Sequence, residues 1–544
     1  MSQMSPIAGG HKFPRYPMAS MSGGASVANP DGDATDDIAT NGTAVAPLDI
    51  ERALSGPPLR VLVIASESVP YVKTGGPADV IGALPRALRR LGHDVRVIAP
   101  RYSSIDPERW RLRPVVDDLS VPMNHAREHV SVMTTPEDEP VPFYFVGSEH
   151  YLQREKLYGY GDDGERFILF CRAALEFTRW LGWAPDVIHC HDWHTGIVPN
   201  WIKTVYRDDP FFAHTATVYT IHNLAYQGIF GYRILEVAGL AEQGFLYAEL
   251  PELAEVVDLM GRGIHYADVV STVSPRYARE ILTAEFGERL DPVLRERKDR
   301  LYGILNGIDT QQNDPATDKY IAAHYDAFSL EQRPANKRAL QEQMRLPVSP
   351  ETPLIGIISR LTDQKGFDLL DETVIPLLEQ GIQLVVSGTG DQHYHSLFQR
   401  LAGRYARQVS VQLTFNVETS ARIYAGSDML LMPSRFEPCG LTQMLAMRYG
   451  SIPIVHRTGG LADTVREFDP ATETGNGFSF SKYDPFHLFA AVVRALEAYK
   501  FSGLWQNLMQ RAMLADYSWD ASAEQYVALY RRAMELQEIE AARG

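Results

Sequence analysis

Short apolar strands rich in Val and Ile alternate with helical stretches along this chain, and the alternation runs through twice. The first series starts at Leu59 with "LRVLVIAS", "DVRVIAP", "VPFYFVG", "DVIHC", "ATVYTIH" and "DVVSTVS". These runs are rich in Val and Ile, as strands buried on both faces require. Between them lie helix patterns such as "RFILFCRAALEFTRWLG", apolar on one face and closed at Gly182. A second series restarts near residue 353 with "PLIGIISRL", "QLVVSGTG", "VSVQLTF", "DMLLMPS" and "SIPIVHRTGG". Strand–helix alternation predicts α/β sheets of parallel strands, with ligands outside the carboxyl ends of the strands. The chain has 544 residues and 45% apolar content, enough for two cores. We expect one domain over 58–305 and another over 351–515. The polar, proline-bearing segment 306–350 reads as a linker. A last helix pattern, 516–544, has no strand after it. Its pattern fits either domain, and we expect it on the N-terminal one.

Residues 1–57 are rich in Ala, Ser, Gly, Asp and Thr and nearly lack large apolar side chains, which predicts a disordered extension. It has no apolar core of a secretory signal. Its first thirty residues contain no acid, which leaves a transit peptide open. The net charge of -16 argues against a nucleic-acid or anionic-membrane partner. No apolar run approaches the ~20 residues of a membrane span. Three cysteines, Cys171, Cys190 and Cys439, cannot build a disulfide framework and fit a cytoplasmic setting.

Five stretches carry candidate chemistry. In "VKTGGPADV", Lys73, Gly75 and Gly76 follow a strand and precede a helix that opens near Asp79. Such a turn can aim backbone N–H groups and a helix terminus at an anion, or it can simply be tight. In "SRLTDQKG", Arg360 and Lys365 stand just past a strand end, where two cations can neutralise a diphosphate or merely be solvated. In "PSRFEPCGLTQ", Glu437 precedes a helix start and can accept hydrogen bonds from sugar hydroxyls. Cys439 is either an apolar filler or, at that helix start, a reactive thiolate. "HRTGGLADTV" repeats the strand–glycine–helix device at Thr458, Gly459 and Gly460. The cluster "HCHDWH" places His189, His191, His194 and Asp192 at a spacing that a metallohydrolase could use.

From Leu59 onward the chain resembles bacterial glycogen synthases, the glucosyltransferase family that includes plant starch synthases. The resemblance rests on "KTGGPADV", "HDWHTG", "IHNLAYQG", "STVSPRYAREI", "GILNGID", "SRLTDQKG", "PSRFEPCGLTQ" and "HRTGGLADTV", in family order across both domains. It implies the GT-B architecture, two Rossmann-like domains facing across a cleft, and glucose transfer from ADP-glucose to the 4-hydroxyl of a glycogen or α-1,4-glucan acceptor. Implied catalytic residues are Glu437, His222, Arg360, Lys365 and Asp192. Implied substrate contacts are Lys73, Gly75, Gly76, Asp79, Asn223, Asn306, Cys439, Gly440, Thr458, Gly459, Gly460 and Leu461. Lys73 would reach across the cleft to the donor, and Thr458 to Leu461 would lie near its phosphates. No metal or other cofactor is implied.

The chain departs from the family pattern at Pro77, where leucine is usual, and at Asn313, where tryptophan is usual. Leu445 stands where related glycosyltransferases often carry a second glutamate, and "SGTGD" has a serine where an apolar residue is common. None of these touches the basic residues. Competing readings are a GT-B transferase making a small glucoside, a non-catalytic nucleotide-sugar sensor, and a metal-dependent hydrolase using "HCHDWH".

Overall fold

A computed structural model describes residues 47–543, apart from 124–125, 248–249, 251–252, 254 and 415. Most of the expected extension, residues 1–46, lies outside the described residues.

The N-terminal sheet has nine strands. In spatial order they are Leu301–Gly303, Val269–Thr272, Ala216–Ile221, Val187–His191, Arg60–Ile64, Asp94–Pro100, Phe143–Gly147, Ala126–Thr134 and Arg113–Met123. The first seven pair in parallel, and the last two form an antiparallel edge. That edge was not read from the sequence, because "RPVVDDLSVPM" is only half buried and mixes charge with apolar residues. The central strand shows why the Val/Ile runs are uninterrupted. Leu62 and Ile64 enter the core on one face of the sheet, and Val61 and Val63 enter the core on the other.

The C-terminal sheet is fully parallel, in the order Val409–Gln412, Gln383–Ser387, Leu354–Ile358, Met429–Met432, Ile452–His456 and Phe478–Phe480. In each sheet the chain order reverses beside the first strand: between Arg60–Ile64 and Val187–His191, and between Leu354–Ile358 and Met429–Met432. The loops leaving these four strands contain every N-terminal and C-terminal basic candidate, as the switch-point rule for parallel sheets anticipates.

Two expected boundaries are corrected. Residues 47–57 do not belong to a disordered tail. Ile50–Leu54 is a helix capped by Asp49, whose carboxylate accepts from Arg52 N at 3.1 Å, and Ala53 is buried. This helix packs on the long C-terminal helix Trp519–Arg543. Segment 306–350 is not a spacer either. Its helix Pro334–Gln343 packs on Val417–Gly426, and Tyr325, Leu340 and Leu346 join the C-terminal core. Buried Lys337 pairs with Asp428 at 2.7 Å, and buried Arg333 donates to Tyr449 O at 3.1 Å. Polar composition concealed this because the charges are neutralised internally.

The C-terminal helix lies on the N-terminal sheet, where Trp519, Ala523, Tyr526 and Tyr530 join the same core face as Val61 and Val63. Tyr530 OH stands 2.9 Å from His189 Nδ1. The chain end therefore completes the core of the first domain.

Candidate active site

The loop after Arg60–Ile64 brings a buried carboxylate, Glu67, onto the glycine turn. Glu67 Oε2 accepts from Thr74 N at 2.6 Å, Thr74 Oγ1 at 2.8 Å and Gly75 N at 3.4 Å. Burial raises the Glu67 carboxyl above its ordinary range, and the hydrogen bonds from Thr74 and Gly75 oppose that rise. The anion expected at this turn is, for those two amides, the protein's own. Lys73 Nζ lies 2.7 Å from Asp79 Oδ1, at the first turn of helix Pro77–Arg90. Among the described residues it makes no ion pair with the C-terminal domain, so the cross-cleft reach is not made here.

The next two strands supply a column of neutral histidines. His189 and His191 have ring centroids 4.0 Å apart, and His191 and His222 stack at 5.2 Å. His191 Nδ1 and His222 Nε2 are 3.0 Å apart, and His189 Nε2 is 2.6 Å from Thr220 Oγ1. Burial lowers His222, His189 and His194 to about 3, so these rings are uncharged near neutrality. Asp192 takes a left-handed backbone (φ 55°) and accepts from His222 N at 2.8 Å. Burial pushes its carboxyl up to about 7, with a further contribution from Glu67. Asn223 Oδ1 accepts from Ala225 N at 3.1 Å, which closes the loop after Ala216–Ile221. Among the described residues no group of three or more His, Cys, Asp or Glu is arranged to hold a metal ion. His194 instead stacks on Trp193 at 4.1 Å.

On the C-terminal sheet, Arg360 follows strand Leu354–Ile358, is exposed, and has no side-chain partner among the described residues. Lys365 ends the short turn Asp363–Lys365, and Gly366 follows at φ +74°. A Cβ at Gly366 would stand 1.9 Å from Pro433 O, so only glycine lets this turn close on the neighbouring loop. That approach sets Lys365 Nζ 2.6 Å from Glu437 Oε2, which also accepts from Ser434 Oγ at 3.0 Å. Glu437 is 7% exposed. Gly440, at φ +72°, and Cys439 have their carbonyls held by Gln443 Nε2, each at 3.0 Å.

Cys439 is not a reactive thiolate. It is buried, and burial pushes its thiol up to about 12; the Asn306 amide bonds to it and opposes the rise. Asn306 Oδ1 is buried with no hydrogen-bond partner among the described residues.

Thr458, Gly459, Gly460 and Leu461 start helix Gly459–Thr464, and their polar groups are already engaged. Gly459 N donates to Glu280 at 3.0 Å and Thr458 Oγ1 donates to Glu280 Oε2 at 3.3 Å. Gly460 N donates to Glu437 O at 3.0 Å, and Leu461 N donates to Thr458 O at 3.1 Å. A Cβ at Gly459 would meet Glu437 O at 2.0 Å, and one at Gly460 would meet Cys439 O at 2.1 Å. Both glycines thus serve close packing against the Glu437 turn. The sequence reading missed Glu67 and Glu280. Each looks like an ordinary loop or helix-surface acid, and nothing local marks it as a buried acceptor.

A cavity of about 710 Å³ lies elsewhere in the C-terminal domain, lined by residues including Arg466, Asn476, Arg511 and Tyr517. It contains none of the candidate residues. The paired cations and carboxylates at the two switch points carry more chemistry.

Known proteins resemble this chain over most of its length. Residues 60–296 match the starch synthase catalytic domain family, and residues 352–498 match glycosyl transferases group 1. The chain is 46% identical over 481 residues to glycogen synthase of Moorella thermoacetica, covering 88% of this chain and 97% of the relative. It is 45% identical over 482 residues to glycogen synthase of Thermotoga maritima, covering 88% of this chain and 99% of the relative. The catalytic domain of starch synthase IV from Arabidopsis thaliana, solved bound to ADP and acarbose, superposes with a TM-score of 0.81 at 35% identity, over 88% of this chain and all (100%) of that one. Sucrose-phosphate synthase from Thermosynechococcus elongatus shares the fold at a TM-score of 0.53 and 20% identity, over 89% of this chain and 99% of that one. With its two α/β domains in the GT-B arrangement, the chain belongs to the glycogen synthase family of glucosyltransferases.

Proposed function

We propose that the enzyme transfers glucose from ADP-glucose to the non-reducing 4-hydroxyl of an α-1,4-glucan, with retention of anomeric configuration. The observation that supports this most is the Lys365–Glu437 pair, in the loop that also carries Arg360, whose side chain has no partner among the described residues, at the carboxyl edge of the C-terminal sheet. When donor binds, its diphosphate takes Lys365 and Arg360, and Glu437 is released to accept hydrogen bonds from the glucose hydroxyls. As the bond between C1 and the phosphate oxygen breaks, charge grows on ADP and fixed cations answer it. The acceptor oxygen bonds to C1 on the same face, and its proton passes to the leaving phosphate oxygen. His222 is neutral and offers a hydrogen bond rather than a charge. Asp192, with its raised pKa, lies beside it as a second acceptor. Asn223, Gly75 and Gly76 line the acceptor side.

Lys73 is the third cation. It must leave Asp79 to reach the donor, which requires the two domains to close further. Three cations make a metal unnecessary in this scheme. Among the described residues no helix is long and apolar enough to cross a membrane, and we place the reaction in the cytoplasm.

Incubation with ADP-glucose or UDP-glucose, with and without glycogen, tests the proposal. Nucleotide release should be fastest with ADP-glucose, should require glycogen and should survive EDTA. Preference for UDP-glucose, or release that ignores the glucan, would overturn it.

A further inference from the structure

The seam between the domains is built from two short helices that cap each other. Pro275–Glu280 belongs to the N-terminal domain, and Gly459–Thr464 belongs to the C-terminal domain. Asp463 Oδ2, from the second helix, accepts from Arg276 N at 2.7 Å at the start of the first. Glu280, at the end of the first, accepts from Gly459 N at 3.0 Å and from Thr458 Oγ1 at 3.3 Å at the start of the second. Arg276 Nε completes the set by donating to Glu280 Oε1 at 3.1 Å. Both acids are largely buried, and both are recruited from outside the domain whose backbone they hold.

The contact does not stop at the seam. Gly460 N, one residue beyond the amide held by Glu280, donates to Glu437 O. The Gly459 Cα lies so close to that carbonyl that a Cβ would stand 2.0 Å from it. Glu437 is therefore fixed from two sides. Lys365 and Ser434 hold its carboxylate, and the Thr458–Gly460 turn holds its backbone. That turn is in turn held by an acid of the opposite domain.

We propose that Glu280 is a positioning residue for Glu437, tying the placement of the donor-side carboxylate to the relation of the two domains. It touches no substrate. It sets the Thr458–Gly460 turn, and the turn sets the Glu437 backbone. The inference rests on the transferase reading for its kinetic consequence, but its structural consequence stands apart from any activity. Removing Glu280 leaves the Gly459 amide without an acceptor in a buried place, and the turn relaxes to find one. A displacement of about 1 Å at a group that contacts the reacting sugar costs on the order of 10²-fold in turnover.

The test uses the full chain with Glu280→Ala, Glu280→Asp and Glu280→Gln, read by kinetics and by amide hydrogen exchange. Glu280→Ala should lose about 10²-fold in kcat while the KM for glycogen stays within about twofold. Glu280→Asp is one methylene too short for Gly459 and should behave like the alanine variant. Glu280→Gln keeps an acceptor oxygen and should recover most of the turnover. Exchange should rise in peptides covering 456–464 and 434–441 in the first two variants and not in the third.

Faster exchange confined to 456–464, with kcat unchanged, would overturn the link to Glu437. So would a kcat that falls only in step with the folded fraction. If the alanine variant does not fold, the contrast between Asp and Gln decides the same question. An inactive wild type would count against the transferase reading alone, because the exchange pattern still tests the positioning contact.

Discussion

Two glycine turns look alike in the sequence, Lys73-Thr74-Gly75-Gly76 and Arg457-Thr458-Gly459-Gly460, yet the fold uses them differently. Each follows a strand, opens a helix and gives a threonine hydroxyl and a glycine amide to a buried glutamate. In the first turn that acid is Glu67, seven residues back in the same loop. In the second it is Glu280, 179 residues away in the other domain. Their glycines differ as well. A Cβ at Gly76 would meet nothing within 4 Å among the described residues, and its φ is an ordinary helical -61°. Gly459 has φ +43° and sits against the Glu437 carbonyl. The two candidate lysines are paired, Lys73 with Asp79 in a half-exposed contact and Lys365 with Glu437 in a largely buried one. The first turn is a local, solvent-facing device, and the second is a piece of the core packed against the Glu437 turn. Strand–glycine–helix patterns thus announce a backbone anion site without saying whose anion fills it.

The contrast between the lysines should produce the largest effect. Lys365→Ala or Arg360→Ala should cost on the order of 10²–10³ in kcat, the penalty for a lost preorganised charge, with glycogen affinity nearly unchanged because the acceptor is uncharged. Lys73→Ala should cost less, because its pair with Asp79 must first open. Full turnover in Lys73→Ala would show that it never reaches the donor. A weaker glycogen affinity alone would put it on the acceptor side.

Next comes the pair of glycines. Gly459→Ala should destabilise the protein by about 3 kcal/mol, since overpacking and a left-handed backbone combine. Gly76→Ala should be neutral or stabilising by up to about 1 kcal/mol. Denaturant midpoints of the two variants measure the difference. Equal effects would erase the distinction between the turns.

A smaller effect separates the domains by pH. His189 is held at about 3 in the folded N-terminal domain, and its unfolded value is near 6.5. Below pH 6.5 the unfolded chain takes up a proton that the folded chain refuses, so this residue subtracts stability as pH falls from 6.5 towards 3. The stability advantage of wild type over His189→Gln should therefore shrink across that window. An advantage constant with pH would mean that His189 is not held neutral.

The smallest effect concerns Cys439. Its buried, raised thiol should leave Cys439→Ser with the same rate of inactivation by thiol reagents as wild type. Slower inactivation in the variant would show that the Glu437 turn opens to solvent.

The strand series, the two sheets and the candidate residues around their switch points were all legible in the linear pattern. Uninterrupted runs such as "LRVLVIAS" and "PLIGIIS" leave little choice but parallel strands covered on both faces. The motif residues Arg360, Lys365 and Glu437 were legible because they stand at strand ends, where the fold class puts chemistry. Which groups satisfy one another emerged only in the folded chain. Helix Ile50–Leu54 was invisible because one short turn gains order by packing on the C-terminal helix, a separation of 474 residues at the Arg531 contact to Pro57 O. Helix Pro334–Gln343 hid behind charges that are paired inside the domain. Glu67 and Glu280 could not be read as acceptors, since a buried carboxylate and a surface one have the same letter. Hydrogen-bond partners, burial and the pKa shifts that follow depend on distances across the fold, and a linear pattern contains no distances beyond its own period.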